Sequence, residues 1–131
     1  MYRNLVFVFA ILLSGLSRAD TAPADDACTT LLEVRAHLLA MVKSTDKASQ
    51  DGFKRKVYEA SARLESILGA MADSDAPRAK AIKPVWESFK QTREKEIIPA
   101  VYAGRASDAK SIAIGIQAER MLKMKAVLGC K

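Results

Sequence analysis

Two groups of side chains in this chain have the types and spacing for chemistry. The first is built on arginine. Arg93 falls on a stripe of Trp86, Phe89, Arg93, Ile97 and Ala100, stepping by three and four, and Arg35 sits between Leu31 and the pair Leu38/Leu39. A guanidinium keeps its charge and grips a carboxylate with two parallel N–H bonds. Two of them at one level, with Trp86, Tyr58 and Phe89 as aromatic walls, would make a pocket for a small anion. The bland alternative is that both arginines lay their stems along the core and pair with Glu59, Glu96 or Glu119. The second group is His37 with Met121, Met124 and Met41. A His and a Met on facing helices can ligate a noncovalent b-type haem, and a Met-rich site with one His suits Cu(I). No Cys-x-x-Cys-His occurs, which excludes covalent c-type haem. Here the alternative is packing, because methionine fills irregular gaps in helical cores.

Catalysis finds little support. The chain holds one His, no His–Glu metal spacing and no Gly-rich phosphate loop, and its carboxylates are scattered as on solvated helix faces. The expectation is a binding module and not an enzyme, with no obligatory cofactor.

Two cysteines, Cys28 and Cys130, bracket the foldable part of the sequence. Ahead of them lies Met1–Ala19, with Arg3 at its start, an apolar run from Leu5 to Leu16 and small residues Ser17 and Ala19 before Asp20. That pattern is a signal peptide, and a run of about a dozen residues is short of the ~20 needed to span a bilayer. An exported chain meets an oxidising compartment, so the cysteines are expected to pair, in the periplasm or outside the cell. Removing the leader takes two arginines and no acid, lowering the formal charge from +6 to +4. The remaining basic residues are mixed with acidic ones along the whole length, unlike the basic, aromatic-studded groove of a nucleic-acid binder. Residues 20–131 are enough for a single domain with one core.

The elements that must position these groups are helices. Apolar residues recur at helical spacing in four stretches: about Asp26–Lys43, about Lys47–Ala72, Ser74 or Asp75 to about Ala103, and about Ser107–Leu128. Pro84 and Pro99 inside the third predict kinks near Lys80 and Lys95. Gly104 and Gly129 stand where the third and fourth helices end. Four helices with short connections predict an all-α, antiparallel up-down-up-down bundle, and an even number of helices returns the chain to its starting end. The cysteine pair demands the same geometry independently. In that register Arg35 is level with Tyr58 and within about a turn of Phe89 to Arg93, and His37 is level with Met121.

Trp86-Glu87-Ser88-Phe89-Lys90, Arg93-Glu94-Lys95-Glu96-Ile97-Ile98-Pro99-Ala100, Ala103-Gly104, Ala109 and Gln117-Ala118-Glu119-Arg120 with Met124 form a string of spaced residues. It resembles the extracytoplasmic four-helix-bundle sensor region of bacterial methyl-accepting chemotaxis receptors, over about residues 74–128. The resemblance implies a periplasmic bundle that binds small molecules between its helices, often as a dimer. The sequence ends at Lys131 with no second membrane helix, linker or signalling region, so the expectation is a freestanding ligand-binding or accessory relative. The expected ligand is a small anionic molecule and the expected partner a membrane receptor, with a homodimer along helices one and four compatible with the pattern and the haem or copper protein as the alternative.

Overall fold

The computed structural model describes residues 23–131; the leader Met1–Ala19 lies outside the described residues. The order is α1 (Pro23–Lys43), α2 (Lys47–Ser74), α3 (Ala76–Thr92), a π-helical turn (Arg93–Ile97), α4 (Ile98–Tyr102), α5 (Ala106–Ile114) and α6 (Ile116–Leu128). The π turn joins α3 to α4 as one rod, and α5 with α6 make the fourth. Each rod packs on the next and the fourth returns to α1, giving the all-α four-helix bundle with no strand among the described residues.

Local chemistry sets the ends. Asp46 caps α2 by accepting the Ser49 N–H at 2.8 Å, and Asp75 caps α3 by accepting that of Arg78 at 3.4 Å, with Pro77 in the first turn. Gly104 and Gly129 take the left-handed conformation, at φ 74° and 69°, that a side chain disfavours. After Gly129 the Cys130 N–H turns back to the Lys125 carbonyl at 2.9 Å, a Schellman closure that points the last cysteine toward α1. Cys28 and Cys130 are bonded, with Cα atoms 5.7 Å apart. The two ends of the fold therefore meet as the helix count requires.

The third and fourth rods each carry an irregular turn. At Pro84 the third helix runs on without a break, on an exposed turn that includes Lys80. At Pro99, which has no N–H to donate, the ladder widens ahead of it: Ile98 donates to Arg93, five residues back. The fourth helix, expected as one piece, is divided at Gly115 (φ −92°, ψ −106°). The core runs the length of the bundle, through Leu31, Leu38 and Met41 of α1, Leu64 and Met71 of α2, Ile82, Trp86 and Phe89 of α3, and Met121 and Met124 of α6. All of its residues lie between Ala27 and Leu128. No described helix is long and apolar enough to cross a membrane.

Candidate functional site

The flank of α2 that faces α3 is a row at helical spacing: Tyr58, Ser61, Glu65, Leu68 and Ala72. Its chemistry changes halfway along. The first three residues meet a polar stretch of the third rod. Arg93, 4% exposed, donates from Nε to Glu94 at 2.9 Å and from its terminal nitrogen to Ser61 Oγ at 2.8 Å, and its guanidinium lies 5.2 Å from the centre of the Tyr58 ring. The Tyr58 hydroxyl donates to the other oxygen of Glu94 at 2.7 Å. One turn on, Glu65 accepts from Lys90 and, at 3.2 Å, from the Trp86 indole N–H. The Lys90 hydrogen bond holds the Glu65 carboxyl below its ordinary pKa, against the opposing effect of partial burial.

Past Glu65 the seam turns apolar and opens. A groove of about 440 Å³ lies among Leu68, Gly69, Ala72, Ala79, Ile82 and Trp86, with Lys80 and Lys83 on its rim and Glu65 and Glu87 beside Trp86. The opening has a steric cause: Gly69, Ala72, Ala76 and Ala79 are too small to fill the space between two helices spaced by Leu68, Ile82 and Trp86. A Cβ built at Gly69 would meet nothing within 4 Å. Neither Lys80 nor Lys83 has a carboxylate within salt-bridge distance among the described residues, while Glu65 and Glu87 share Lys90. The groove thus has an apolar body and cations on its rim.

The expected arginine pair is not assembled. Cys28 is bonded into the α6 side of the bundle, and Arg35, seven residues later, shares its flank of α1. Glu33 pairs with Arg63 of α2 and so marks the other flank. Arg93 turns to α2, so the two guanidiniums sit at a similar level on opposite sides of the bundle. Arg93 is already committed to Ser61 and Glu94, and no buried polar side-chain atom among the described residues lacks a partner. Of the proposed walls, Trp86 lines the groove, whereas Tyr58 supports Arg93 and Glu94. Phe89 is buried against Trp86, with ring centres 5.6 Å apart, and its carbonyl accepts from Gln117 at 2.9 Å.

The histidine–methionine set is likewise not brought together. Met41, Met121 and Met124 are buried core residues. His37, half-buried, follows Glu33 by one turn on the α2 flank and so is turned from α6. Among the described residues no group of three His, Cys, Asp or Glu could hold a metal. Lys80, Lys83 and the small residues of the groove do not stand out as site residues in the sequence, nor do Ser61 and Glu94; the available signal is the cluster of Gly and Ala on either side of the α2–α3 turn.

No family model matches the chain, and neither the curated proteins nor the solved structures contain a match. These comparisons lend no support to the expected resemblance to chemoreceptor sensor regions.

Proposed function

We propose that this chain is an exported, sensor-like bundle that binds a small amphiphilic anion in the α2–α3 groove. The observation that carries the reading is the groove itself: about 440 Å³ of space against Leu68, Ala72, Ile82 and Trp86, rimmed by two lysines with no carboxylate partner among the described residues. That volume lies within the range of small-molecule sites, which combine a mostly apolar wall with a few placed polar groups. A molecule with a short alkyl or aromatic body and one carboxylate fits this chemistry, its head directed to Lys80 and Lys83 because Glu65 and Glu87 repel it from the Trp86 end. The disulfide and the pattern of Met1–Ala19 support export. The likeness to chemoreceptor sensor regions supports a sensing role, passed to a membrane receptor by contact.

Trp86 is the chain's single tryptophan and forms a wall of the site, so its fluorescence reports occupancy directly. Titration with octanoate should shift the emission saturably, and octanol, of equal length and no charge, should bind more weakly. Replacing both Lys80 and Lys83 with Gln should bring the two affinities together. A response that grows linearly with octanoate, without saturation, would dispose of the proposal.

A further inference from the structure

A second surface lies across the bundle from the groove, on the seam between α1 and the fourth rod. Leu32 (46% exposed), Ile114 (56%) and Leu122 (65%) are large apolar side chains left in solvent. Leu32 and Leu39 share the Cys28 flank of α1, and Leu39 and Val42 line a recess with Ile114. Leu122 is two turns before Gly129 on α6, beside the disulfide end. The charged side chains along the seam are Arg35 and Lys43 on α1, Lys110 on α5 and Lys125 on α6, with Asp25 at the disulfide end. None of these four cations has a carboxylate within salt-bridge distance among the described residues. The pairs made between rods, Arg63–Glu33 and Lys90–Glu65, involve α2, on the other faces of the molecule.

We infer that this face docks on an anionic phospholipid bilayer. A second copy of the chain would set four cations against four, whereas a negatively charged surface complements them. The apolar side chains project instead of lining a deep slot, which suits insertion among headgroups, and lysine and arginine can lay their stems beside them with charges in the phosphate layer. The disulfide ties the two helices that carry the leucines, so the face is presented as a unit. This inference is independent of the ligand groove, which lies on the opposite side.

The test uses disulfide-bonded residues 23–131, which contain the whole core and exclude the apolar leader. Flotation with vesicles of equimolar phosphatidylcholine and phosphatidylglycerol should carry the protein upward, and phosphatidylcholine alone should not. Lys43→Gln and Lys110→Gln should each lower partitioning about fivefold. Leu122→Ser should lower it about tenfold, and Arg55→Gln, on an exposed turn of α2, should leave it near the parent value. The inference falls if the mixed vesicles float without the protein, or if Arg55→Gln matches the seam variants, which would mean unspecific attraction. It also falls if sedimentation equilibrium finds a dimer that Leu122→Ser dissociates, or if an acidic Leu/Glu amphipathic helical peptide binds the face while the vesicles do not.

Discussion

A guanidinium that is 4% exposed must have its charge met within the protein. For Arg93 the sharing is between Glu94, which stays partly hydrated, and the buried Ser61 hydroxyl, with the Tyr58 ring below. Arg93→Ala should therefore cost about 2–3 kcal/mol, the range for a lost charged hydrogen bond plus the packing of the stem, measured by urea denaturation. Lys at this position keeps the charge without the fork and should recover only part of that loss. Octanoate binding at Trp86 should persist in both variants, because Arg93 is outside the groove; its loss would make Arg93 the anion anchor after all. The neighbouring phenol sets an alkaline limit. The Tyr58 pKa is pushed up to about 12, by burial first and then by the Glu94 carboxylate that accepts its hydrogen bond. Tyr102 is also pushed up to about 12, chiefly by its hydrogen bond to Asp51. The folded state holds these protons more tightly than the unfolded chain, whose tyrosines titrate near pH 10. Their stabilising contribution is complete below about pH 10 and is lost as the pH rises toward about 12. Denaturation midpoints should fall across that window, and Tyr58→Phe should flatten the fall.

At the scale of elements, two irregular turns do work that a regular helix would not. The wide turn before Pro99 keeps the third rod continuous while Arg93, Ile97 and Ile98 stay buried. The break at Gly115 is more restrictive, because a Cβ there would stand 2.8 Å from the Ser111 carbonyl oxygen. Gly115→Ala should cost about 1–3 kcal/mol in thermal or urea melts, since backbone must move to relieve the overlap. Gly69→Leu should do the reverse. It replaces the poorest ordinary helix former where open space lies above it, so stability should hold or rise by up to about 1 kcal/mol. The same side chain fills the groove, and the Trp86 response to octanoate should disappear from a well-folded protein. The helix boundaries were legible because caps are local: Asp46, Asp75, Gly104 and Gly129 each act within a turn of themselves. The meeting of the two chain ends was legible too, from the helix count and the cysteine pair. The flank that Arg35 and His37 occupy was not, because two residues on a helix turn about 200° and rotation depends on the neighbours. The sequence did hold a clue to it, since Cys28 and Arg35 are seven apart and the cysteine pair already directs that flank to the last helix. The groove was harder to see: a run of alanines reads as ordinary helix until the partner helix shows what the small side chains leave empty.

For the whole molecule the disulfide is the largest single constraint on the unfolded chain. Cys28 and Cys130 are separated by 102 residues in sequence, and closing a loop of about that length is worth about 4–5 kcal/mol in the chain-entropy model. A domain of this size has a net stability of only about 5–15 kcal/mol. The reduced protein is therefore expected to be marginal, with a melting temperature lower by roughly 20 °C or more. Replacing both cysteines with serine and comparing thermal melts by circular dichroism measures this directly, and a shift of only a few degrees would show that packing alone holds the ends. The two surfaces should respond differently to that change. The groove lies between α2 and α3, joined by the short turn at Asp75, and needs nothing from the cysteines, so the variant should bind octanoate with parent affinity at temperatures where it is folded. The lipid-facing seam is made by α1 and α6, whose ends the disulfide joins, and fraying there would separate Leu32 from Leu122. Weakened flotation with unchanged octanoate affinity is the expected pair of results, and it would assign the disulfide to the docking face as well as to the fold.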